Sequence, residues 1–148
     1  MRQKTKVQIW LKPSNWLHSA LILSIIGFLV NGCFLKQDRT TMIYGTITDQ
    51  KGQPVDSITV MLSGFQGFKY EILKQVYSDD SGRYELVVEV PSKFGSADVS
   101  VPFGSKLNPK YQKYYKGKTS HKNDEFTNNC CSASIGQKTK YDFQLIPR

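Results

Sequence analysis

The residues with types and spacing suited to chemistry are few in this chain. Cys130 and Cys131 are adjacent, and successive residues on a regular strand point to opposite faces, so a bond between their sulfurs requires a turn. Three states are open to them: a vicinal disulfide, two unpaired thiols with one buried, or a bridge to another molecule. A zinc site takes four ligands, and His121 is the only other soft ligand beyond Cys33, so no metal and no cofactor is expected. Asp79 and Asp80 are the carboxylates best placed for calcium or for acid and base work. In a short turn, however, such side chains accept bonds from nearby backbone N–H groups, and that is the role expected of them. Glu85 and Glu89 read as solvated charges on the outer side of one strand. The last group is a run of lysines and tyrosines in which Lys110, Tyr111, Lys113, Tyr114, Tyr115 and Lys116 crowd together. Tyrosine rings stack on sugars and clustered lysines attract phosphates or carboxylates, so these six are candidate contacts for an anionic glycan or an acidic envelope protein.

The elements that must hold these groups follow from period-two alternation bounded by turn residues, the pattern of half-buried strands. Ile43, Gly45 and Ile47 share one face of a first strand, and Asp49-Gln50-Lys51-Gly52 turns it. Ile58, Val60 and Leu62 line a second, closed by Gly64. Val76-Tyr77-Ser78, the turn Asp79-Asp80-Ser81-Gly82, and then Tyr84, Leu86, Val88 and Val90 read as a hairpin. Ala97, Val99, Val101 and Phe103 form another strand, and Tyr141, Phe143 and Leu145 a last one. No helical periodicity competes after residue 42, and the segment from Lys106 to Lys122 reads as a long mobile loop. The expected fold is therefore an all-β, antiparallel two-sheet sandwich.

The first 32 residues carry a different pattern. Arg2, Lys4, Lys6 and Lys12 stand there without any acid, so beyond them 16 basic residues face 12 acidic ones and the net charge falls from +8 to +4. That lowered balance, in an exported protein, argues against nucleic acid as a partner. Leu17 to Val30 is an apolar run, and a basic stretch before an apolar one is the form of a secretory signal. Counted from Trp16 through Leu35 the uncharged stretch reaches about 20 residues, the length of a membrane span, so a retained signal anchor is the rival expectation. Val30-Asn31-Gly32-Cys33 resembles the lipobox of bacterial lipoproteins. The resemblance implies a signal peptide over 1–32, diacylglycerol attached to Cys33, a tether over 33–41 and a body over 42–148. It also implies a bacterial cell-envelope location, with an outer-membrane lipoprotein expected and the side of the membrane left open.

Within the body, Tyr44-Gly45-Thr46-Ile47-Thr48-Asp49, Gly52-Gln53-Pro54-Val55 and Ser78-Asp79-Asp80-Ser81-Gly82-Arg83-Tyr84-Glu85-Leu86 resemble the carboxypeptidase regulatory-like domain. That resemblance implies a prealbumin-like sandwich of about seven strands, and it departs from the family pattern between Ser105 and Gln137. Intradiol dioxygenases on related sandwiches need two histidines and two tyrosines at iron, and hydroxyisourate hydrolases need paired histidines; this chain matches neither set. No G-x-S-x-G, H-E-x-x-H or phosphate-cradling loop is present. The expectation is a non-catalytic binding or assembly module held to a membrane by lipid, with a small ligand-carrying or enzymatic protein as its alternative.

Overall fold

The alternation of buried and exposed side chains becomes two facing sheets in the computed structural model, which describes residues 37–104, 106–127 and 130–148. The proposed signal peptide and Cys33 lie outside the described residues. Strand β1 (Thr40–Asp49) turns Ile43 and Ile47 fully inward, and β9 (Lys138–Pro147) does the same with Tyr141, Phe143 and Leu145. Around them the first sheet runs β4 (Arg83–Glu89), β1, β9, β6 (Tyr115–Lys122) and β7 (Glu125–Phe126). The second runs β3 (Lys69–Tyr77), β2 (Thr59–Gln66), β5 (Ser96–Ser100) and β8 (Ser132–Ala133). Val60, Leu62, Ala97 and Val99 of the second sheet close on the inward row of the first. Each fully buried Val, Leu, Ile or Phe among them contributes about 1.5–3 kcal/mol, which is what holds the layers together.

The expected all-β two-sheet sandwich is thus the fold, with particulars the alternation did not give. Nine strands occur among the described residues where about seven were expected, and β1 pairs with β9 in parallel while the other pairings are antiparallel. The expected hairpin across Asp79–Gly82 is not a hairpin, since β3 and β4 belong to different sheets and the turn carries the chain between them. Ser78 secures that corner: its hydroxyl accepts a bond from Ile58 N at 3.0 Å and donates to Val55 O at 2.8 Å, both buried. Gly64 does not end β2, which runs on to Gln66 with the ring of Phe94 seated over the glycine. Phe103, expected to continue the inward row of β5, is half exposed beyond the strand end. The body also begins earlier than residue 42. Arg39 donates to Val90 O at 2.8 Å and Phe94 O at 2.6 Å, and Thr40 is already in β1, so the end of the proposed tether is part of the sandwich.

One place in the first sheet departs from regular pairing. The β1–β9 ladder is interrupted opposite Gly45 and Thr46. There the Tyr84 hydroxyl crosses above Gly45 to donate to Tyr141 O at 2.7 Å, and the Asp142 carboxylate accepts from both Thr46 N and Thr46 Oγ1 at 2.8 Å. A Cβ on Gly45 would stand 1.9 Å from Tyr141 O, so a glycine is required by the close approach of the two strands. Burial, with the negative charge of Asp142 second, pushes the Tyr84 phenol far above its ordinary pKa, and it remains a neutral donor.

Candidate functional site

The lysine- and tyrosine-rich segment is not a mobile loop. It folds as one short helix, α1 (Pro109–Tyr114), followed directly by β6. Proline at the first helical position suits its fixed φ and missing N–H. The helix is tied to the start of β2, because Asn108 Nδ2 donates to Thr59 O at 3.2 Å and Thr59 Oγ1 donates to Leu107 O at 2.5 Å. Lys110 Nζ reaches Asp56 Oδ1 at 2.6 Å and Asp56 O at 2.9 Å. At its other end, Arg148 N donates to Tyr114 O and Arg148 Nε to Gln112 O, both at 3.1 Å. A segment fastened at so many points presents its side chains in fixed positions.

Those positions divide the six candidate contacts. Tyr111 is buried in the core, edge-on to Phe103 at 5.5 Å between ring centroids and stacked on Tyr115 at 6.1 Å. It is a packing residue and cannot touch a partner, which corrects the expectation for it. Lys110 is occupied by Asp56, whose carboxyl this bond and that of the Ser57 hydroxyl hold down at about 2. Tyr114 and Tyr115, by contrast, line a groove of about 390 Å³ together with Asp49, Gln50, Lys51 and Pro147. Tyr114 is half exposed, and Lys113 Nζ lies 4.8 Å from the centre of its ring, a cation–π contact; hydrogen bonding with Lys113, and then its charge, draw the phenol below its ordinary pKa. Tyr115 is half-buried, and burial, then the charges of Asp49 and Asp56, push its phenol up. Lys116 is exposed on the following residue. The groove therefore offers two tyrosine rings beside Lys51, with Lys113 over the Tyr114 ring and Asp49 the acid at its rim, while Lys116 is not among its lining residues. Sequence reasoning missed Asp49, Lys51 and Pro147, which reach the groove from the ends of strands distant in the chain.

The remaining chemical groups serve the frame. Asp49 and Asp79 occupy two turns of the same build. Asp49 Oδ1 accepts from Lys51 N at 2.8 Å and Gln53 N at 2.9 Å, and Asp79 Oδ1 from Ser81 N at 2.9 Å and Arg83 N at 2.8 Å. Gly52 and Gly82 supply the positive φ of 77° and 70° that each turn needs. Asp79 thus caps backbone groups, and among the described residues no three His, Cys, Asp or Glu side chains gather as metal ligands would. Cys130 and Cys131 sit in the turn before β8 rather than on a strand, with their sulfurs in direct contact. Ser120 Oγ lies 3.2 Å from Cys130 Sγ and 3.9 Å from Cys131 Sγ. Nearby, β6 turns Lys118, Ser120 and Lys122 toward the same side as Leu145, Phe143 and Tyr141, and burial lowers the Lys118 amine and raises the Asp98 carboxyl beside it.

No family model matches the chain, and no curated protein does. Among solved structures, a 9R-lipoxygenase from Cyanothece PCC8801 is similar over 86% of this chain and 22% of its own length, at 15% identity and a TM-score of 0.35. The chain therefore spans about a fifth of that structure, and so loose a likeness carries nothing about activity.

Proposed function

We propose that this chain is a lipid-anchored protein of the bacterial outer membrane whose sandwich binds an anionic glycan without transforming it. The observation that carries the reading is polarity along the sandwich. The chain enters the body at Gln37–Thr40, where Arg39 is pinned to Val90 and Phe94, whereas the tyrosine groove gathers at Asp49, Tyr115 and Pro147, at the other ends of β1 and β9. Ten residues of β1 at about 3.3 Å each separate the two by about 30 Å, so a ligand site lies at the end away from the tether. Tyrosine rings suit the apolar face of a sugar, and Lys51 and Lys113 beside them suit its carboxylates or phosphates. The Val30-Asn31-Gly32-Cys33 motif supports the anchor.

Two measurements test this. Mass spectrometry of the protein from a bacterial envelope should find diacylglycerol on an N-terminal Cys33, and an unmodified chain beginning at Met1 overturns the anchor. Calorimetric titration with an acidic oligosaccharide should give binding that weakens with salt. Removing one stacking ring is worth about 1 kcal/mol, so Tyr114→Ala should weaken affinity about fivefold, and Lys113→Glu should flatten the salt dependence. Binding that ignores both variants places the ligand elsewhere, and binding only to an acidic protein makes the partner a protein.

A further inference from the structure

The end of the sandwich nearest the proposed anchor carries an exposed apolar feature that the binding site does not use. Strands β2 and β3 are joined by the two-residue turn Gly67-Phe68, and the Phe68 side chain is fully exposed, touching nothing that would shield it from water. Its neighbours are Lys69 at the foot of the turn and Tyr70, 68% exposed and 6.2 Å from the ring of Phe65. Sheet pairing fixes where this tip lies. Gly95 N donates to Phe65 O at 3.1 Å, the Phe94 ring covers Gly64, and Phe94 O accepts the guanidinium of Arg39 at 2.6 Å. Lys93 completes the link by pairing with Glu71 at 2.7 Å. The Phe68 turn and the entry of the chain at Gln37 therefore occupy the same end of the body.

We infer that the Phe68 turn is a second membrane contact, an aromatic tip that enters the lipid headgroup region and sets the orientation of the sandwich. The inference rests on the anchor proposed above. Three residues, and so four Cα-to-Cα steps, separate Cys33 from Gln37, a reach of at most about 14 Å, so a lipid on Cys33 keeps this end of the body close to the bilayer. A side chain that projects from the body at that end meets headgroups rather than bulk water. The chemistry of the tip fits that boundary: a phenylalanine for the acyl edge, a tyrosine with a polar tip, and a lysine whose long stem lets its charge stay among phosphates. The depth such contacts take, about 5–10 Å below the headgroups, is within the length of a two-residue turn and its side chains. Docking by this tip would hold the tyrosine groove at the far end turned away from the bilayer.

The test uses the full chain, lipidated and reconstituted in vesicles of phosphatidylethanolamine and phosphatidylglycerol, carrying Phe68→Trp. The chain beyond Cys33 has no tryptophan, and any emission from Trp10 and Trp16 is removed by subtracting the unsubstituted protein. Vesicles with brominated acyl chains should quench the introduced indole and shift its emission to shorter wavelength, with a loss that grows with the brominated fraction. Protein that floats with the vesicles while its indole stays unquenched and open to aqueous iodide overturns the tip contact and leaves the anchor standing. An indole shielded from both quenchers is packed against protein and overturns it too. Protein that fails to float defeats the anchor and the tip contact together. A Lys69→Glu variant should reduce quenching in vesicles rich in phosphatidylglycerol, and a response independent of lipid charge removes the role given to that lysine.

Discussion

Replacing Gly45 by alanine probes the tightest contact in the first sheet. The new Cβ would stand 1.9 Å from Tyr141 O, 2.6 Å from Tyr141 C and 3.1 Å from Asp142 Oδ1, and the first two lie inside any tolerable separation. Since the obstructing atoms are backbone of a central strand, β1 and β9 must part by about 1 Å, a displacement of the overpacking kind that costs about 1–3 kcal/mol. Parting them also breaks the bond from the Tyr84 hydroxyl to Tyr141 O and leaves buried polar atoms unpaired, about 1–3 kcal/mol more. The combined loss of about 2–6 kcal/mol is a large share of the 5–15 kcal/mol that holds a typical domain together. In urea unfolding followed by circular dichroism, a slope of about 2 kcal/mol per molar turns a mid-range loss into a fall of about 2 M in the midpoint. Gly52→Ala is the control, because its φ is +77° but nothing lies within 4 Å of an added Cβ, so only the left-handed strain of about 1 kcal/mol applies. A Gly45→Ala midpoint equal to wild type, or no lower than that of Gly52→Ala, would show that the parallel pair is not packed as described.

Acid should loosen the seat of α1. The bond from Lys110 holds the Asp56 carboxyl at about 2, below its ordinary 3.8, so the stabilisation is complete above about pH 4 and is lost as the pH falls toward 2. Thermal melts should fall over that window, and Asp56→Asn should reduce the dependence on pH there; an unaltered profile rejects the assignment. For the adjacent cysteines, a bonded pair predicts no alkylation of Cys130 or Cys131 by iodoacetamide in denaturant until a reductant is added, read by mass spectrometry. Labelling without reductant shows free thiols.

What was legible in the sequence was what one buried face imposes. Ile43 with Ile47, Tyr84 with Leu86, and Tyr141 with Phe143 and Leu145 alternate because water lies on the other side of their strands. Strand β3 gave no such signal, since most of Lys69–Tyr77 is exposed on both faces of a sheet edge. The turn at Asp79–Gly82 was read correctly as a turn, but its Asp cap and glycine are local and look the same whether the flanking strands pair or separate into two sheets. Alternation carries no direction either, so the parallel β1–β9 pairing was invisible. At the candidate groove, tyrosine was ambiguous by nature, as its ring packs and its hydroxyl tolerates water. Tyr111 went to the core and Tyr114 to the surface on the strength of contacts with Phe103 and Arg148, which no spacing announces. Lys118, Ser120 and Lys122 hid β6, because a strand that turns polar residues to the side of Leu145, Phe143 and Tyr141 breaks the pattern by which strands are recognised.

The seam between β1 and β9 has a consequence for how the chain is made and for the export proposed above. The strand that begins the body has its partner nearly a hundred residues later, so a nascent chain emerging from the ribosome cannot complete its first sheet until residue 147 is free. Until then β1 has β4 on one side and an open edge on the other, and the polypeptide remains threadable. A secretion pore that accepts only unfolded chains would thus meet a substrate whose architecture postpones its own closure, and assembly would finish on the far side of the membrane.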